Sequence, residues 1–381
     1  MKKNRIAALL IAAMTAVSMT ACGNTASDST SETTAEISAA EETPAEESSA
    51  EDISAEDSSA ETSEETSEAA EDGVKVVNDR EGGTVEIKGE INTIVSGAPS
   101  VTEILVGLGL GDKIIAADAY SADVEGIDPS ICTLDFYNLD IEAIAAMNPD
   151  AVIINGISMT GADDPYSALK DAGVQVLYVP SSESVQGVMD DIRFIAECTD
   201  TDEKADELLM GMSDVIAEVV ELSQNITEKK KVYFEVSAAP YMYTCGSDTF
   251  ADDILDLIGA ENIYSSESGW INNTDESVIA ADPDVIITSV KYDGYDYNEI
   301  YSREGWENIS AIKNHQVYQV EPNPVSRPSQ NVVEGIRIMA QIIYPDVYSD
   351  LGGADLESDI VEACSEETAE AEAETELDAA A

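Results

Sequence analysis

Residues 140–154 return in altered form at residues 274–287, and that echo restricts the fold more than any other feature of the chain. In each copy a glutamate in the first turn of a helix, Glu142 or Glu276, stands seven residues before a proline, Pro149 or Pro283. An aspartate comes next, Asp150 or Asp284, and then an apolar strand. Two copies of one helix–turn–strand unit point to two lobes of similar design. A cleft between such lobes is where a ligand is expected.

The surrounding pattern agrees. Strands are expected at residues 90–95, 113–116, 151–155, 174–179, 232–236, 285–289 and 317–320. Helices are expected at 99–108, 140–147, 165–172, 250–258, 274–281 and 331–343. Short strands alternating with helices argue for parallel sheets covered on both faces. Residues 184–226 differ, reading as helix throughout with a break at Thr199-Asp200. In the second part Ala205, Leu208, Leu209, Met212, Val215, Ile216, Val219 and Val220 form one apolar stripe, with acidic residues opposite. A helix of about 25 residues spans nearly 40 Å, enough to connect two lobes.

The ends of the chain are of another kind. Lys2, Lys3 and Arg5 precede an apolar run at residues 6–17, and then Met19-Thr20-Ala21-Cys22. A positive start, a short apolar core and a small-residue junction make an export signal. The run is shorter than the roughly 20 residues that cross a bilayer. The Ala21-Cys22 junction resembles the lipobox of bacterial lipoproteins, which implies lipidation of Cys22 and a place on the outer face of the cytoplasmic membrane. Residues 23–72 and 354–381 contain no Lys or Arg and consist largely of Ser, Thr, Ala, Glu and Asp. Such stretches cannot bury enough apolar surface to fold and are expected to be disordered, the first as a spacer. The expected organisation is therefore a signal peptide (1–21), lipidated cysteine and acidic spacer (22–72), N-terminal α/β lobe (73–183), helical linker (184–228), C-terminal α/β lobe (229–348) and acidic tail (349–381).

With 18 Lys+Arg against 78 Asp+Glu, the formal net charge is −60, which argues against nucleic acid as a partner. Cys132, Cys198, Cys245 and Cys364 are scattered and read as buried free thiols. Catalysis is unsupported. The single histidine, His315, reads as part of a polar turn before a strand, and no multi-histidine metal site can be built. Gly107-Leu108-Gly109-Leu110-Gly111 lacks the spacing of a phosphate loop and reads as a helix stop.

Residues 95–105, from Val95-Ser96-Gly97-Ala98-Pro99 to Ile104-Leu105, resemble the opening of substrate-binding proteins of iron-chelate and cobalamin ABC importers. Phe136-Tyr137-Asn138-Leu139-Asp140-Ile141-Glu142, Gly269-Trp270, the Glu276 helix, Arg303-Glu304-Gly305-Trp306 and Ser326-Arg327-Pro328-Ser329 resemble that family's later signatures in the same order. The resemblance covers residues 76–348. It implies two Rossmann-like lobes joined by a single long α-helix, with one metal chelate bound between them. It also implies delivery to a membrane permease driven by an ATPase, a monomeric protein, and neither an intrinsic cofactor nor a metal site. Glu142 and Glu276 fall where family members present glutamates to permease arginines. Phe136, Tyr137, Tyr243, Trp270 and Arg327 match positions near the family's pocket, and Tyr120 is a further candidate.

Flat aromatic faces suit a corrin ring or the apolar faces of a siderophore, and Arg327 suits ligand carboxylates or amide oxygens. Each aromatic fits core packing equally well. A first-turn glutamate gains about 0.3–1 kcal/mol from the helix dipole with no partner at all. Glu103 is accounted for as the last member of a capping box, Ser100-Val101-Thr102-Glu103. The cargo is open between ferric siderophore, cobalamin or another corrinoid, and haem. A ligand sensor that presents its cargo to a membrane receptor kinase is the alternative from another class.

Overall fold

The computed structural model describes residues 74–136, 138–156 and 164–351, all within one compact unit. Cys22, Tyr137, Cys364, the export signal and both acidic stretches lie outside the described residues. The described chain opens with a hairpin of β1 (Val74–Asn78) and β2 (Thr84–Lys88). There follow β3 (Ile94–Ser96), α1 (Pro99–Gly107), β4 (Ile114–Asp118), β5 (Cys132–Leu134), α2 (Ile141–Met147), β6 (Ala151–Asn155), α3 (Ser167–Asp171) and β7 (Gln175–Val179). Two helices come next, α4 (Val185–Thr199) and α5 (Asp202–Ser223). The second half holds β8 (Lys231–Ser237), β9 (Tyr243–Cys245), α6 (Phe250–Ile258), β10 (Glu261–Asn262), β11 (Trp270–Asn272), α7 (Asp275–Ala281) and β12 (Val285–Thr288). It closes with α8 (Ser310–Lys313), β13 (Val317–Gln319), α9 (Pro322–Ser326) and α10 (Val332–Ile343).

The first sheet has the order β5-β4-β3-β6-β7, every pair parallel. The second runs β11-β9-β8-β12-β13, with β10 beside β8. In both, the first strand of the half occupies the middle and the later strands add outward. Part of the second sheet departs from the all-parallel expectation, because β9 is antiparallel to β8 and to β11. The cause is chain length. Residues 238–242 alone separate β8 from β9, and a parallel return needs a crossover of a dozen or more.

The repeated unit is the same in both halves down to its hydrogen bonds. Asp140 caps α2 by accepting from the Ala143 N–H at 2.9 Å, and Thr274 with Ser277 forms a capping box on α7. Both helices end in a left-handed residue, Asn148 (φ 48°) and Asp282 (φ 50°). The next aspartate then ties two strand starts together. Asp150 accepts from the Thr93 N–H at 2.8 Å, just before β3, and Asp284 from the Lys231 N–H at 2.9 Å. β6 then pairs with β3, and β12 with β8. That shared wiring explains why one sequence pattern occurs twice.

The helical stretch breaks at Asp200 (φ 55°), as expected, and its second helix is 22 residues long. The Val185 N–H donates to Asp253 of α6 at 2.8 Å, whereas Asp200 beyond the far end of α4 pairs with Lys75. Leu208 of α5 approaches Gly107 of α1 so closely that a Cβ there would stand 3.2 Å from its methyl. Tyr348 Oη, which donates to the Ile258 carbonyl at 2.7 Å, also reaches the Val219 carbonyl at 3.4 Å. Thus α5 bridges the two halves. One continuous core runs along it, from Ile94, Ile104 and Leu105 to Ile254, Ile258 and Ile336.

Among the described cysteines Cys198 and Cys245 are buried, and burial pushes both thiols up to about 12. Cys132 is exposed, against the expectation of burial, because it lies on an edge strand of the first sheet. No described helix is long and apolar enough to cross a membrane.

Candidate functional site

In a sheet wound outward from a central strand, ligands sit beyond the C-terminal ends of the strands. Here the two sets of ends face each other. Arg327, at the end of α9 beyond β13, donates to Asp123 beyond β4 at 3.0 Å and to the Tyr120 carbonyl at 3.2 Å. Asn323 of α9 donates to the same aspartate at 2.9 Å. Segments following the strand ends of opposite halves therefore meet.

The centre of this contact is Glu103, which is 5% exposed. It accepts from Arg327 Nη1 at 2.9 Å, from Asn331 Nδ2 at 3.0 Å and from the Ser329 hydroxyl. Gln330 Nε2 donates to the Glu103 carbonyl at 2.8 Å. The capping-box account of Glu103 is therefore incorrect. Pro99 opens α1, Ala98 rather than Ser100 is the N-cap, and no side chain caps this helix. Proline at the first helical position needs no N–H partner and already holds the helical φ. Ser100 thus lies inside the helix, and Glu103 serves the opposite half instead.

The strand-end region of the second half holds a buried ion pair. Glu235 of β8 is fully buried and accepts from Arg303, from Thr288 Oγ1 at 3.1 Å and from Tyr295 Oη at 3.3 Å. Arg303 also reaches Glu299 at 3.1 Å and lies 4.7 Å from the Trp306 ring centroid. Burial alone would ease the proton off Arg303, but the Glu235 carboxylate outweighs it and holds the guanidinium above its ordinary value. The same burial, with the charge of Glu235, keeps the Tyr295 phenol protonated. The Arg303–Trp306 motif is thus a packed structural cluster.

The expected ligand residues divide. Tyr120 is 66% exposed in the turn after β4, and Arg327 stands against its carbonyl. Tyr243 is half-buried, opposite Ser237 at the end of β8. Trp270 is half-buried and packs edge-on against Phe250, with ring centroids 6.1 Å apart. Phe136 is buried against Gly97, where an added Cβ would come within 3.0 Å of its ring. Glycine at that position lets the segment after β3 lie flat on the aromatic ring. Two further exposed tyrosines lie on strand-end loops, Tyr241 (64%) and Tyr292 (62%). Their signal was position: one follows β8 and the other follows β12.

Glu142 and Glu276 are both exposed, each in the first turn of its helix. Their helices start from the side where the strands end and run back to the starts of β6 and β12. Both glutamates therefore lie on the cleft side of the molecule. Glu276 is held below its ordinary value by backbone and Thr274 hydrogen bonds, so it is a firm anion at neutral pH. Among the described residues no group of His, Cys, Asp and Glu is arranged to hold a metal ion.

A family model described as Periplasmic binding protein matches residues 94–324. The chain belongs to the periplasmic binding protein family. It is 35% identical over 279 residues to YvrC of Bacillus subtilis, named an uncharacterized ABC transporter substrate-binding lipoprotein, covering 72% of this chain and 87% of that one. A vitamin B12-binding protein of Vibrio parahaemolyticus is 22% identical over 252 residues, covering 65% of this chain and 87% of the relative. A solved structure from Staphylococcus epidermidis, of a possible iron-binding (periplasmic solute-binding) protein, is 30% identical with a TM-score of 0.60, covering 67% of this chain and all (100%) of that one. The periplasmic heme-binding protein HutB of Vibrio cholerae shares the fold, with a TM-score of 0.59 at 23% identity over 66% of this chain and 99% of its own. The family expectation drawn from the motifs holds, and so does the two-lobed α/β fold. The hairpin β1–β2 precedes the matched region.

Proposed function

We propose that this chain is the extracytoplasmic substrate-binding subunit of an ABC importer, capturing a metal chelate in its interlobe cleft and presenting it to a permease. One observation carries the reading: in a periplasmic binding protein, the strand ends of two similarly wired sheets face each other across a cleft. Relatives named as substrate-binding, vitamin B12-binding and heme-binding proteins support the class of cargo. Exposed tyrosines on the strand-end loops, Tyr120, Tyr241 and Tyr292, provide flat faces for a macrocycle or a siderophore. Lipidation at Cys22 would hold the binder at the membrane, with residues 23–72 as its tether.

Glu142 and Glu276 are the docking carboxylates in this account. Two anions on equivalent helices of two lobes match a two-fold permease that offers arginines, and the charge pairing orients the encounter.

The test is a titration of the full mature chain with cobalamin, haem and several ferric siderophores, followed by tryptophan fluorescence. Trp306 is fully buried, so the change reports on Trp270, which is partly exposed. Binding of one ligand at about 1 μM or tighter is expected, equivalent to about 8 kcal/mol. Failure to bind any ligand in the set would refute the chelate reading.

A further inference from the structure

We infer that the chelate is electroneutral or cationic, and that this cleft rejects anionic chelates; the inference rests on the reading of the chain as a chelate binder. Three basic residues, Lys291, Arg303 and Arg327, follow the C-terminal ends of strands, and carboxylates already engage each one. Lys291 pairs with Glu321. Arg303 pairs with Glu235 and Glu299, and Arg327 with Glu103 and Asp123.

Every other described Lys and Arg of this chain lies elsewhere. Of its 18 Lys and Arg, Lys113, Lys170, Lys313 and the run Lys229-Lys230-Lys231 stand at strand starts, the opposite ends of the sheets. The remainder lie in the hairpin segment, on α4, α5 and α10, or among the first five residues. Residues 137 and 157–163, outside the described set, contain no Lys, Arg or His. His315 precedes β13, away from the cleft.

Carboxylates outnumber these cations on the same loops. Asp118 ends β4, and Asp293 and Asp296 follow β12. None of the three forms an ion pair among the described residues. An anionic chelate entering here leaves water, meets like charge, and finds each guanidinium or ammonium already satisfied. To recruit Arg303 or Arg327 it must displace a carboxylate, leaving Glu235 or Glu103 buried without a cation. A neutral or cationic ligand rimmed by amides, with apolar faces for the tyrosines, meets neither penalty.

The experiment is calorimetric titration of the full mature chain, at fixed salt, with four probes: cyanocobalamin (neutral), ferrioxamine B (cationic), a ferric tris-catecholate (trianionic) and haem (two propionates). The expected result is that cyanocobalamin or ferrioxamine B binds at least about a hundredfold more tightly than either anionic probe. The double variant Asp123→Asn, Glu321→Gln, which removes two of the pairing carboxylates, should narrow that gap by about tenfold or more. An anionic probe that binds the native chain as tightly as the neutral and cationic ones overturns the inference and leaves the chelate reading intact. If none of the four binds, the chelate reading falls, and the inference with it.

Discussion

Glu103 lies in a helix whose buried side chains also include Val101, Ile104 and Leu105. A carboxylate in such a setting is tolerated only with partners, and Arg327, Ser329 and Asn331 supply them from the other half of the chain. Glu103→Ala takes the buried acceptor from Arg327, Ser329 and Asn331, leaving Arg327 with Asp123 and the Tyr120 carbonyl, and should cost about 1.5–3 kcal/mol, read as a lower urea midpoint with little change in the slope. A loss under about 1 kcal/mol would place this pair with ordinary surface ion pairs. Asp123, on the exposed side of the same cluster, carries a pH dependence. Burial pushes its carboxyl up, but hydrogen bonds from Asn323 and Arg327 outweigh that and hold it below the ordinary 3.8. Its contribution is therefore fully present above 3.8 and is lost as the pH falls through the depressed value. Stability curves of the native chain and Asp123→Asn should differ at neutral pH and converge as the pH falls through that depressed value. Curves that stay parallel down to the acid limit would contradict this assignment. None of this was legible in the sequence, because Glu103 and its partners are more than two hundred residues apart along the chain. A local rule, the capping box, claimed the glutamate first.

At the scale of elements, legibility followed burial. Residues 151–155 and 250–258 matched the observed strand and helix, because an apolar run and a glycine stop are local signals. Gly259, at φ 85°, ends α6 as its position implied. The strands β9, β10 and β11 and the hairpin β1–β2 escaped notice: they are at most five residues long and lack a continuous apolar run. Ion pairs, together with the buried Val77 and Ile87, hold the hairpin. Arg80 meets the buried Asp191 of α4, which also accepts from Ser182, and Lys75 pairs with Asp200 at 2.8 Å. Burial raises the Asp191 carboxyl above its ordinary value even beside Arg80, so removal of that cation leaves a costly charge behind. Arg80→Ala should release β1–β2 from α4, and hydrogen exchange of residues 74–88 should accelerate ahead of global unfolding. Exchange at the native rate would show that apolar contacts at Val77 and Ile87 suffice. Thiol accessibility separates the cysteines in the same way. In the folded chain a maleimide should label Cys132 and spare Cys198 and Cys245, until denaturant exposes all three.

For the whole molecule, the repeated unit links the fold to the proposed delivery. Each copy sets a helix start on the strand-end side of its sheet and places an exposed glutamate there, which in the proposed reading puts docking carboxylates beside the ligand cleft. The sequence carried the pair openly as Glu142 and Glu276; what it did not carry was their shared exposure, which depends on how α2 and α7 pack. Helix-dipole stabilisation alone would leave both glutamates without a role in uptake. Uptake of the identified chelate therefore discriminates most directly, comparing cells that carry the native chain with cells that carry Glu142→Lys, Glu276→Lys. Loss of uptake with chelate affinity retained in the purified variant is the predicted result. Uptake at the native rate, with both charges reversed, would contradict it.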